Sequence, residues 1–137
     1  MVKVHSWMLV FACASFLIAC GDDEPASKLT NTKLIVEVAP FQLAEGIDEA
    51  TLIKASDAVQ TDFLSKQSGF IKRDLLKGKE NQWVDIIYWN SLQDAEKAIK
   101  NAEKSRACLK YFSLLIGPDP DDPSAGVSHF ERIMTYQ

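Results

Sequence analysis

The chain has 137 residues, room for one ordinary domain and a short extension. With 47% hydrophobic and 25% charged residues, it has the balance of a globular protein rather than a disordered one. A net charge of −4 excludes the basic footprint of a nucleic-acid binder, and three cysteines without a CxxC pair exclude a disulfide framework or a structural zinc site.

Residues 1–19 have the layout of a secretory signal, with Lys3 as the only charge and an unbroken apolar run over residues 7–18. That run is shorter than the roughly 20 apolar residues a membrane span needs. Its end, Leu17-Ile18-Ala19-Cys20, resembles the lipobox of bacterial lipoprotein signals. The resemblance implies cleavage before Cys20, a diacylglyceryl group on its thiol, and a fatty acyl chain such as palmitate on the new amino terminus. The protein would then be an envelope lipoprotein, anchored in a membrane on the periplasmic or cell-surface side. An ordinary secretory peptide with an incidental Cys20, or a short helical anchor, are the alternatives. Cys13 lies inside the apolar run and reads as packing. Residues 20–32 read as the lipidated cysteine and a polar tether, because residues 21–32 (GDDEPASKLTNT) carry no apolar period.

Residues 33–137 are patterned as one domain. Leu34, Ile35, Val36 and Val38 form a β-branched, apolar run that reads as a strand ending at Pro40. Asp48 can cap a helix whose apolar positions are Leu52, Ala55, Val59 and Phe63, with Gly69 as its stop. Two strands over 70–77 and 82–89 flank Gly78-Lys79-Glu80-Asn81, a hairpin turn. Ser91 with Asp94 resembles a capping box, and Leu92, Ala95, Ile99 and Ala102 follow as an apolar stripe. Residues 107–116 read as a further helical segment and 127–136 as a last strand. The order βαββαβ is that of an α+β, ferredoxin-like antiparallel sheet. Two helices cover only one sheet face, yet the third strand is apolar on both parities: Val84, Ile86 and Tyr88 on one, Trp83, Ile87 and Trp89 on the other. A second face of this kind predicts a homodimer.

The stretches GFIKRDLLKG, WVDIIYWNSLQDAEKA, ACLKYF and SHFE carry a resemblance. Residues 33–137 are similar to the dimeric α+β barrel superfamily, particularly its antibiotic-biosynthesis-monooxygenase-like (ABM-like) branch. That resemblance implies a small-molecule-binding barrel and cofactor-independent oxidation of an aromatic substrate, with neither metal nor flavin. Haem-degrading members carry a Trp and a His on the second helix. Here Trp89 precedes that helix and residues 90–117 contain no histidine, which removes the basis for haem chemistry.

Individual residues leave both functional and architectural readings open. His129, the only histidine of the mature chain, is the candidate catalytic base or proton shuttle, or else a strand histidine bonded to backbone or sitting at an interface. If the hairpin pairs positions summing to 158, Arg73 faces Asp85 among Leu75, Trp83, Ile71 and Ile87. Such a pair either orients a polar substrate group or holds register, and Glu37 is ambiguous in the same way. Trp83 and Trp89 join Arg73 and Asp85 as the predicted ligand pocket, although aromatics at strand spacing also serve as core. Cys108 reads as a buried thiol. Asp119, Asp121 and Asp122 occupy a proline-stiffened loop without the EF-hand pattern, so no metal site is expected.

Overall fold

The computed structural model describes residues 33–117, 121 and 126–136, all within the compact unit Asn31–Gln137. Cys20, the signal segment and the tether lie outside the described residues. In chain order the elements are β1 (Leu34–Leu43), α1 (Glu49–Asp62), β2 (Phe70–Lys77), β3 (Gln82–Trp89), α2 (Leu92–Ala102), α3 (Arg106–Phe112), β4 (Leu115–Ile116) and β5 (Ser128–Arg132). A short 3-10 turn, Leu64–Lys66, follows α1. The strands form one antiparallel sheet of the ferredoxin-like α+β type, ordered β2-β3-β1, with β4 and β5 sharing the outer edge of β1.

Local chemistry sets the helix starts. Asp48 accepts a hydrogen bond from the Thr51 backbone N–H at 2.7 Å, and Ser91 Oγ accepts from the Asp94 N–H at 3.1 Å while donating to its carboxylate. Gly69, at φ +72°, turns the chain into β2 where a Cβ would collide with the Asp94 side chain. The helices cover the sheet face that carries Glu37, Leu43, Trp83, Asp85, Ile87 and Trp89. Among the described residues the buried hydrophobic core lies between Leu43 and Leu114, so the unit has a core of its own. The opposite face presents Val36, Val38, Val84, Ile86 and Tyr88, with Leu76 and Phe130 exposed.

Several elements differ from the sequence reading. β1 continues through Pro40 to Leu43. Its outer edge has no strand partner at residues 39–41 among the described residues, a place where a residue without an N–H is tolerated. The segment predicted as helix over 107–116 is helical only to Phe112, then turns into β4. The last strand is Ser128–Arg132 rather than 127–136. On α2 the buried positions are Ala95, Ala98 and Ala102, and Leu92 and Ile99 are exposed. Small alanines let the helix approach the sheet closely, which turns the larger side chains outward.

The hairpin register is also corrected. Arg73 faces Ile87, Leu75 faces Asp85 and Lys77 faces Trp83, pairs that sum to 160. The register is shifted by two residues, with Gly78 paired to Gln82 and Glu80 taking the left-handed conformation at φ 55°. A β-bulge between Phe70 and Lys72 absorbs the irregularity at the far end.

Candidate functional site

Between the covered sheet face and the three helices lies a cavity of about 410 Å³, within the usual range for small-molecule sites. Its floor comes from the sheet and carries the polar groups: Glu37, Arg73 and Asp85, with Trp89 beside them. Val59, Phe63, Ala98, Ala102 and Cys108 make apolar helical walls. Ile116, Gly117, Gly126 and Val127 lie at the outer edge of β1. Alternation explains this division of labour: residues 37, 85, 87 and 89 share the face that the helices roof.

Arg73 and Asp85 meet although they are not cross-strand partners. The guanidinium reaches diagonally, donating from Nε to Oδ1 at 2.5 Å and from Nη2 to Oδ2 at 2.6 Å, while Nη1 donates to the Ser56 carbonyl at 3.1 Å. Tyr111 of α3 donates its hydroxyl to Asp85 Oδ2 at 2.9 Å and stacks its ring over the guanidinium at 5.2 Å. Burial works to lower the Arg73 pKa, and the hydrogen bonds and charge of Asp85 more than offset it, so the net shift is upward. Burial, reinforced by the Asp85 charge, raises the Tyr111 pKa, which keeps its hydroxyl a donor.

Glu37 forms a second polar centre. His129 Nε2 lies 3.1 Å from Glu37 Oε2, the two residues facing each other across the β1–β5 ladder. Burial raises the Glu37 pKa. His129 pulls it back, as does the Trp89 indole N–H, and the Asp85 charge adds to the rise. The indole Nε1 itself is buried without a hydrogen-bond partner among the described residues.

His129 stands behind Glu37 and does not line the cavity. Trp83 does not line it either; the indole stacks on Phe41 at 6.4 Å, with Lys77 Nζ 5.3 Å over its ring. Arg73, Asp85 and Trp89 all reach the lining. Cys108 is also there, but burial raises its thiol pKa, the reverse of what a nucleophile requires. Among the described residues no three metal-ligating side chains gather in one place. Sequence reasoning passed over Tyr111, whose only signal was a polar-tipped aromatic three residues after Cys108 on one helix face. It also left His129 without a partner, because Glu37 is 92 positions away.

No family model matches the chain, and no curated protein matches it either. Solved structures do. SnoaB, a cofactor-independent oxygenase from Streptomyces nogalater, is similar at TM-score 0.55 and 15% identity, over 77% of this chain and 96% of that one. Protein SO0527 from Shewanella oneidensis is similar at TM-score 0.54 and 20% identity, covering 77% and 96%. A Bordetella bronchiseptica protein named for an antibiotic biosynthesis monooxygenase reaches TM-score 0.58 at 12% identity, covering 74% and 99%. Likeness at such low identity speaks for backbone architecture and not for chemistry. The domain therefore shares the α+β, ferredoxin-like fold of antibiotic-biosynthesis-monooxygenase-type proteins.

Proposed function

We propose that the domain binds a small, largely apolar aromatic ligand and acts on it as a cofactor-independent monooxygenase. The cavity carries this reading: it joins an apolar wall to a few convergent polar groups on a rigid sheet. Oxidation without a cofactor requires a substrate that supplies its own electrons, as when an activated CH2 becomes C=O and the second oxygen atom leaves as water. Deprotonation of such a substrate is the step a protein side chain can assist. Aromatic ligands should quench Trp89 emission and raise the melting temperature by mass action. Oxygen uptake across a panel of phenols and quinols tests turnover, and ligand binding with no uptake would reduce the reading to a binding protein.

One observation favours a second reading, a non-catalytic, lipid-tethered structural or sensing dimer. Arg73, Asp85 and Tyr111 satisfy one another, so much of the cavity's polarity is engaged in holding the fold.

The proposal extends to location and assembly. Lipidation at Cys20 would hold the domain at the bacterial cell envelope, and a second copy would cover the apolar sheet face around Val36, Ile86 and Phe130. Intact mass spectrometry of membrane-extracted protein is expected to show a chain starting at Cys20 with added acyl mass, lost in Cys20→Ser. Light scattering on the unit Asn31–Gln137 is expected to give about twice the monomer mass at micromolar concentration. An unacylated chain would sink the anchor, and a stable monomer would sink the dimer.

A further inference from the structure

The polar groups lining the cavity are not equally available to a ligand. Arg73 has committed Nε and Nη2 to Asp85 and Nη1 to the Ser56 carbonyl. Asp85 accepts from Arg73 on both oxygens and from Tyr111 on one of them. The Tyr111 hydroxyl is spent on that bond, and Cys108 is a buried thiol with a raised pKa. Glu103 lies at the solvent-exposed rim. Glu37 differs from all of these. Its Oε2 is engaged by His129 and the Trp89 indole N–H favours its charged form, while no hydrogen bond to its Oε1 is made among the described residues and Glu37 lines the cavity.

Exposure is graded outward from this carboxylate. The Glu37 side chain is 8% exposed and that of His129 is 21% exposed, so the imidazole joins the buried group to the solvent side. A carboxylate that lines a cavity and contacts an imidazole is arranged to accept a proton and pass it on.

We infer that Glu37 is the proton acceptor of the cavity, taking the proton of a weakly acidic hydroxyl on a hydroxyaromatic or enolic ligand, with His129 as the positioning residue that relays it to solvent. This rests on the reading of the cavity as a small-molecule site. The ligand O–H bond breaks and its electron pair stays on the ligand oxygen, while an O–H bond forms on Glu37. The carboxylic acid then gives a proton to Nε2 of an imidazole protonated at Nδ1, Glu37 returns to the carboxylate, and Nδ1 releases its own proton to water.

The surroundings suit the task. Burial makes Glu37 a stronger base than a surface carboxylate, and His129 limits the rise. The groups facing it are His129 from β5, Asp85 and the Trp89 N–H from β3, Arg73 from β2, and Tyr111 and Cys108 from α3. From α2 the ionisable side chain on the cavity is Glu103 at the rim, and α1 contributes the apolar Val59. Arg73, the cation on the floor, already shares its charge with Asp85.

The test uses 2-naphthol, a weak hydroxyl acid that becomes far stronger when excited and emits at longer wavelength once ionised. Bound to the unit Asn31–Gln137, it is expected to show naphtholate emission that Glu37→Gln loses while Trp89 quenching and the ligand-induced rise in melting temperature persist. In His129→Gln, which keeps a donor toward Glu37, the emission is expected to survive but to disappear at a higher pH on acidification. The sign follows from the charge: without the imidazolium, Glu37 holds its proton to a higher pH. A histidine not in contact with the Glu37 carboxylate would leave that limb in place, and this measurement stands alone if Glu37→Gln does not fold. Naphtholate emission unchanged in Glu37→Gln, or an unmoved acid limb in His129→Gln, overturns the relay while leaving the cavity as a binding site. Failure of 2-naphthol to bind overturns the cavity reading, and the relay with it.

Discussion

Replacing Asp85 with alanine is expected to lower the stability of the unit by about 3–5 kcal/mol, read from urea unfolding midpoints. The loss arises from what is left behind. The Arg73 side chain is only 5% exposed, so its guanidinium would keep a buried charge with the Ser56 carbonyl as its one remaining hydrogen-bond partner among the described residues. The Tyr111 hydroxyl would lose its acceptor in the same step. Replacing both charged residues together, Arg73→Met with Asp85→Leu, is expected to regain much of the loss, because two desolvation costs vanish along with the attraction. Tyr111→Phe in the wild-type background should cost less, about 1.5–3 kcal/mol, the net worth of one hydrogen bond to a charged acceptor. Additive losses in the Arg73/Asp85 double-mutant cycle would show that the pair is not coupled.

Trp89→Ala is the second large effect, about 3–5 kcal/mol for emptying a buried aromatic site. The indole is 1% exposed and meets Phe70 edge-on at 5.8 Å, so little in its surroundings can collapse into the space. Trp89→Phe is expected to cost less than about 2 kcal/mol, since it keeps most of the ring volume and deletes a donor that makes no hydrogen bond. The two variants separate volume from polarity. If the phenylalanine variant were as unstable as the alanine variant, the indole N–H would have to be satisfied in solution, for example by water. The phenylalanine change should also raise the Glu37 pKa further, because the indole dipole favours its charged form.

The hairpin shows what patterning can and cannot specify. Strands 70–77 and 82–89 were legible at their ends because alternation stops at Gly78 and at Asn90. Their register was not, because the left-handed residue of the loop is Glu80, where glycine would ordinarily mark the position. The slip moved the pairing sum by two, which preserves parity, so Arg73 and Asp85 stayed on one face and within diagonal reach. An odd slip would have separated them. The Glu37–His129 contact was illegible for another reason: nothing in either neighbourhood encodes which strand will lie beside β1. The extent of α3 was misread because Leu114, Leu115 and Ile116 are as apolar as a helix face, and only pairing with Gln42 and Leu43 makes the last two a strand.

The split outer edge of β1 also carries a kinetic consequence. Residues 34–38 of that edge wait for β5 and residues 42–43 for β4, and His129 is made 92 positions after Glu37. At ribosomal rates of about 5–20 residues per second, roughly 5–18 s pass between the two. During that interval β1 can pair with β3, but its first half has an open ladder and Glu37 has no imidazole beside it. An edge left unpaired for seconds is a site for association with other nascent chains. Closing a loop of this length makes the β1–β5 ladder a late, non-local step. Variants that weaken β5 should therefore reduce the yield of soluble protein at high expression rates more than their equilibrium stability alone would suggest.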